Sequence, residues 1–289
     1  MYLGYNTNGF AHHDVFAAVE LLAEIGYGGV AITIDHGALN PYDSRCPDHV
    51  SRMRDLLAKH RLRSVIETGA RYLLDARVKH EPTFMTADES ARQRRVDFLR
   101  RAIDIARQLR SDCVSLWSGV LREPLEEDAA YARLAAALRP VLEYAAEREV
   151  AIGFEPEPGM FIARMRHFEH LLDALDAPNL QLTLDLGHLH CQGEVPIDDV
   201  LREWQGKLVN VHIEDMVRGV HEHRQFGEGE MDFPPILATL EEIGYSGGVQ
   251  VELSRHSHDA PRAALRAFQF LQLTGRWPAE ERPDAEFFT

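Results

Sequence analysis

Four short apolar runs in the second half of the chain each end in a side chain that can ligate a metal. They are AIGFE at Glu155, LQLTLD at Asp185, LVNVH at His212 and GVQVE at Glu252. A buried strand has no packing reason to end on a carboxylate or an imidazole. Any one of the four could be a solvated loop residue, but four at the same place in consecutive segments are better explained by one divalent cation bound where strand ends converge. Three carboxylates and an imidazole suit Mn2+, Mg2+, Co2+ or Zn2+, and the oxygen-rich mixture leans toward the harder ions, Mn2+ first.

Placing four such residues around one point requires a repeated strand–helix architecture. In the first half, β-like runs at 2–5, 29–34, 64–66 and 113–117 are each followed by helical spacing, at 13–25, 48–60, 88–109 and 128–148. In the second half, the runs at 151–155, 180–185, 208–213 and 248–252 precede helices expected over 165–175, 197–204, 233–243 and 259–273. Eight units with nothing left over imply parallel pairing through right-handed crossovers. The expected fold is α/β, a closed (β/α)8 TIM barrel forming a single domain over residues 1–275, with a polar tail over 276–289. An open doubly wound sheet would carry a Gly-rich phosphate turn after its first strand, and YNTNGF is not one. In a barrel the chemistry gathers at the C-terminal strand ends, which adds Asn6, His36, Glu67 and Trp117 to the four. The segment 68–87 is long, polar and aperiodic, and is expected to be functional or a lid.

Composition narrows the class. The chain has 289 residues, 45% of them hydrophobic, and a formal charge of −15. That charge argues against nucleic acid or an anionic membrane as partner, because both call for a Lys/Arg-rich face. Cys46, Cys113 and Cys191 lack CxxC spacing and do not form a disulfide framework. No basic-then-apolar leader and no membrane-length apolar run is present, so a cytoplasmic protein acting on a small molecule is expected.

The motifs FEP at 154–156, LDLGH at 184–188, VHIED at 211–215, FGEGEMDF at 226–233 and VQVEL at 249–253, in this order, resemble the xylose isomerase-like TIM-barrel superfamily. This group includes sugar isomerases and epimerases, inosose-processing enzymes and the endonuclease IV branch. The resemblance spans almost the whole chain. It implies that Glu155, Asp185, His212 and Glu252 are metal ligands, and that His188, in the family's DxxH position, contacts substrate or orients a ligand. Glu157 competes with Glu155; Glu155 ends the strand directly and is preferred, with Glu157 placed near substrate.

The implied chemistry is isomerisation or epimerisation of a sugar or polyol ketone. A cation acidifies the α-proton by stabilising the enediolate, and Glu155 and Glu252 remove and return that proton. The runner-up is a dehydratase or β-eliminating lyase on a keto sugar, which uses the same residues. A non-catalytic sugar-binding barrel would be expected to have lost ligands, and all four are present. The DNA-processing branch would need further His/Glu ligands and a basic face. Arg71, Arg218, Arg224 and Arg255 form no recognisable phosphate loop, so an unphosphorylated carbohydrate or polyol is preferred.

Among the remaining residues, Glu67 either meets substrate or pairs with Arg71. Trp117 either stacks on a sugar face or plugs the barrel rim, and His223 is the residue of the 221–224 loop expected to touch substrate. His36 reads as polar packing, and His256 and His258 as a solvated face. Dimers and tetramers are common among proteins of this kind, which leaves a homo-oligomer open, with Trp277 and the tail as an interface candidate.

Overall fold

Short strands rich in Val, Ile and Leu and buried on both faces suit a parallel sheet wrapped by helices. In the computed structural model eight such strands close on each other. They are β1 (Tyr2–Asn6), β2 (Gly29–Thr33), β3 (Arg63–Glu67), β4 (Val114–Leu116), β5 (Ile152–Phe154), β6 (Leu180–Asp185), β7 (Leu208–Ile213) and, after a hairpin, β10 (Gly248–Val251). They pair in parallel in the order β1-β10-β7-β6-β5-β4-β3-β2, a closed (β/α)8 barrel. The structure describes all residues except 176, 178, 275, 276 and 278–289.

The surrounding helices are α1 (Val15–Ile25), α2 (Cys46–His60), α3 (Glu89–Leu109), α4 (Glu127–Glu147), α5 (Met165–Ala174), α7 (Ile197–Trp204), α8 (Phe233–Glu242) and α9 (Ala260–Gln272). Their ends follow local chemistry. The Asp14 carboxylate accepts from the Phe16 and Ala17 amides to start α1. Gly26 stops α1 at φ 111°, where a Cβ would also come within 2.8 Å of Phe268.

Two additional elements break the simple eightfold count. Residues 186–196, expected as a loop before 197–204, contain the short helix α6 (Leu186–Gln192), and the loop after β7 contains the antiparallel hairpin β8 (Asp215–Val217) and β9 (Val220–Arg224). LGHLHCQ is too short to show a period, and its start is set by Asp185, whose Oδ1 accepts from the His188 amide at 2.8 Å. VHEHR offers polar alternation with no apolar face, so nothing in it signals a strand.

The long 68–87 connection has no regular structure, yet it is tied down. Thr68 donates to the Ser115 carbonyl at 2.7 Å, buried Arg95 donates to the Thr68 carbonyl at 2.8 Å, and Phe84 and Met85 are buried. The expected tail lies outside the described residues except Trp277. That tryptophan is buried in this chain's own core cluster, which corrects its assignment to an interface: an indole of that area is stabilised where it escapes water. Among the described residues no helix is long and apolar enough to cross a membrane.

Candidate metal and substrate site

β5, β6, β7 and β10 are neighbours in the barrel, so residues at their C-terminal ends share one rim. Asp185 is the last residue of β6, and its register partner on β7 is His212. Glu155 directly follows β5 and donates its amide to the Leu116 carbonyl; Glu252 directly follows β10 and donates to the Ile213 carbonyl. One ligand-type atom from each of Glu155, Asp185, His212 and Glu252 lies within 4.8 Å of all the others. Ligand bonds of roughly 2.0–2.2 Å put atoms on opposite sides of a cation up to about 4.4 Å apart, so the spread nearly matches one ion.

The orientation of His212 is the most informative feature. Its Nδ1 faces the carboxylates, 2.9 Å from Glu252 Oε2, 3.2 Å from Glu155 Oε1 and 3.9 Å from Asp185 Oδ2. Its Nε2 lies 2.9 Å from Glu67 Oε1, and Asn210 Nδ2 donates to the same Glu67 oxygen at 3.3 Å. With the Nε2 hydrogen given to Glu67, the Nδ1 lone pair points at the common centre, the arrangement by which a carboxylate sets a ligating imidazole's tautomer. Asp185 Oδ2 is buried without a hydrogen-bond partner, as a ligand oxygen would be. Asn8 donates from Nδ2 to Glu252 Oε1 at 2.6 Å and steadies that carboxylate.

The charges interact strongly. Burial raises Glu155 to about 7 against the pull of His212. Burial, then the neighbouring Glu155 and Glu252, push Glu157 well above the ordinary carboxylate range. Burial opposes ionisation of Glu252 too, but His212 and then His223 and His188 hold it below that range. His212 is raised well above the usual imidazole value, since Glu155, Glu67 and Glu252 outweigh its burial. More acidic than basic groups surround the point, a centre that attracts a cation.

The donor set extends further. His188, His221 and His223 form one additional group of ligand-type atoms, and Asp185, Glu214 and His223 another. His188 and His221 approach through their Nε2 atoms at 3.0 Å. Burial, with His223 and His221 beside it, lowers His188 to about 3, whereas Glu214 outweighs burial and lifts His223 to about 10. Both oxygens of Glu214 are buried without hydrogen-bond partners, and burial raises its carboxyl well above the usual range. It lies against Gly187 of α6, where any Cβ would collide with it. Further His/Glu ligand types are therefore present, so the case against a DNA substrate rests on the −15 charge alone.

The cavity over this rim has a volume of about 530 Å3, and Glu67, Trp117, Glu155, Glu157, His188 and His223 all line it. Glu67 is held by His212 and Asn210, and Arg71 pairs with Asp35 at 3.2 Å, so the expected Glu67–Arg71 pair does not form. The Trp117 ring lies under the Arg95 guanidinium at 4.7 Å and edge-on to His80 at 5.5 Å, engagements suited to plugging the rim. His36 is exposed, while His258 lines the cavity. Sequence reading missed Asn8, Asn210 and Glu214. Asn210 had a signal, since it sits two residues before His212 and strand alternation puts both on one face; Asn8 had none.

The model of the family described as xylose isomerase-like TIM barrel matches residues 19–274. An uncharacterised protein of Methanocaldococcus jannaschii is 26% identical over 235 residues, covering 73% of this chain and 78% of that protein. The L-ribulose-5-phosphate 3-epimerase UlaE of Escherichia coli is 25% identical over 257 residues, covering 86% of this chain and 84% of the enzyme. Among solved structures, the IolI protein with a binding zinc atom has the same fold, with a TM-score of 0.77 at 20% identity over 97% of this chain and 100% of that one.

Proposed function

From a chain that belongs to the xylose isomerase-like TIM-barrel family, we propose a divalent-metal-dependent isomerase or epimerase acting on a sugar or polyol ketone. Glu155, Asp185, His212 through Nδ1, and Glu252 would hold one ion, Mn2+ by the oxygen-rich character of the set. Such an ion stabilises the negative charge that develops on a ketone oxygen when a neighbouring C–H loses its proton.

The protein's own residues do the rest. Glu155 and Glu252 come from β5 and β10, with β6 and β7 between them, so their carboxylates reach the centre from different sides. A substrate carbon between them can lose its proton to one and regain it from the other, the requirement for inverting or relocating a C–H centre. Glu67 favours one tautomer of His212 by accepting from Nε2, Asn210 donates to the same Glu67 oxygen, and Asn8 keeps Glu252 in place. Glu157, His188 and His223 line the same cavity and supply polar contacts for substrate hydroxyls. Arg71 and Arg255 also line it, each ion-paired, with Asp35 and Glu222, and Lys79 is a third cation in its wall.

The observation that carries this reading is His212, with its Nε2 on Glu67 and its Nδ1 turned to three carboxylates. The test is the metal content of the purified protein beside His212→Ala, followed by α-proton exchange of ketoses in deuterated water. About one divalent ion per chain, weakened or lost in the variant, is expected. A wild-type protein that binds none of Mn2+, Mg2+, Co2+ or Zn2+ would remove the basis for the proposal.

A further inference from the structure

The barrel mouth is chemically lopsided. Glu155, Asp185, His212 and Glu252 come from β5, β6, β7 and β10, four consecutive strands, and β1–β4 make up the other half of the ring. On that other half the 68–87 connection, between β3 and α3, lines the site cavity with Gly69, Arg71, Lys79 and His80. The backbone of this connection is strained. His80 stands at φ 71°, and Ala70 and Arg71 at 57° and 35°. Non-glycine residues keep the left-handed conformation only where their surroundings impose it, and such residues gather at functional sites.

Here the surroundings fix one imidazole. The His80 amide donates to the Arg71 carbonyl at 2.6 Å, and the ring Nδ1 lies 2.6 Å from the Gly69 carbonyl. Arg71 is in turn held by Asp35 and by the Asn8 carbonyl. The His80 ring stands edge-on to Trp117 at 5.5 Å. A carbonyl can only accept, so Nδ1 carries the hydrogen and Nε2 is the bare nitrogen of the neutral ring. Burial, with Lys79, Arg95 and Arg71 nearby, lowers His80 to about 4 and keeps the ring neutral. Among the described residues nothing donates to Nε2, and that atom is not sealed from water.

We propose that His80 is a specificity-determining substrate contact, whose Nε2 accepts a hydrogen bond from a hydroxyl at the end of the ketose remote from the reacting carbon. The inference rests on the function proposed above and deepens it. A substrate gripped at the ion by its hydroxy-ketone has its remaining carbons to place, and the cavity continues to the half of the mouth where His80 stands. An ether, phosphate or carboxylate oxygen at that position would set lone pair against lone pair. The substrate is therefore a ketose with a free O–H there.

The test compares ketohexoses with dihydroxyacetone, which keeps the hydroxy-ketone but has no remote carbons. Their α-proton exchange in deuterated water is followed on the Mn2+-loaded wild type and on His80→Asn. Asparagine tolerates the left-handed backbone, so the connection keeps its course while the acceptor is withdrawn. For the best ketohexose, kcat/KM is expected to fall about ten- to hundredfold, carried by KM. The loss for dihydroxyacetone should be much smaller. Equal losses for both overturn the proposal, since His80 would then only support the fold. Nitrogen NMR of the histidine rings in the Mg2+-loaded protein gives a second reading, in which ketohexose binding should shift His80 Nε2. No shift with any D- or L-ketohexose overturns the proposal. Failure of every ketose to exchange counts against the proposed function, and the NMR titration then still decides His80. Exposed Lys79 lines the same cavity. A preference for a ketose phosphate that Lys79→Ala removes and His80→Asn does not would overturn the proposal, by making that corner a seat for an anion.

Discussion

Replacing Glu67 tests whether this carboxylate acts through His212 or on substrate. Its Oε1 lies 2.9 Å from His212 Nε2, and both side chains are buried, so the hydrogen bond is charge-assisted and poorly screened. Losing the partner of a ligating imidazole typically costs 10–100-fold in metal affinity, about 1.4–2.8 kcal/mol. Glu67→Gln retains an oxygen that accepts from Nε2–H but loses the charge, so about a tenfold weakening of Mn2+ binding is expected. Glu67→Leu removes the acceptor and frees the imidazole to take the other tautomer, in which Nε2 accepts from Asn210 Nδ2 at 3.1 Å; about a hundredfold loss is expected. Calorimetric Mn2+ titration near neutral pH reads the affinities, and steady-state kinetics at saturating Mn2+ separates KM from kcat. The reasoning is refuted if both variants bind Mn2+ like the wild type while KM rises, since Glu67 would then be touching substrate.

Glu252→Gln should abolish exchange of the substrate α-proton with solvent; full exchange measured by NMR would exclude it as the base. His80 is lowered to about 4, chiefly by burial, so the folded protein keeps it neutral where the unfolded chain is protonated. A depressed histidine contributes stability that is complete above pH 6.5 and is lost as pH falls toward 4, by at most about 3 kcal/mol. Denaturant midpoints of the wild type and His80→Gln should therefore converge on acidification across that window, and parallel curves would contradict the assignment. Asp215 accepts from the Gly227, Gly229 and Met231 amides at 2.9, 3.0 and 3.1 Å. Asp215→Ala should cost about 3 kcal/mol by removing three charge-assisted hydrogen bonds to part-buried backbone, read as a fall in Tm and faster amide exchange in 226–231.

Much of the fold was legible because strand and helix periods are local. VQVE and LQLTLD announce buried strands ending in carboxylates without reference to anything distant, and α3 and α4 show their apolar stripes over 21 residues each. α6 and the β8–β9 hairpin were not legible. One is seven residues held by a side-chain cap, and the other alternates histidine with charged residues, so neither has an apolar period to read. Yet the hairpin carries His221 and His223 to within ring contact of His188, and much of the donor set depends on it.

Local patterning is enough to reveal eight strand–helix units and the four strand runs that close on Glu155, Asp185, His212 and Glu252. Barrel closure decided what those side chains face. It joins Glu67 to His212 across 145 residues and Asn8 to Glu252 across 244, pairings that no spacing along the chain encodes. The physical reason is that strand register brings Asp185 beside His212, while the β1–β10 seam returns the first turn of the chain to the last metal-type residue. Residue types supplied the chemistry; only the closed sheet selected Nδ1 of His212 as the nitrogen turned toward the carboxylates.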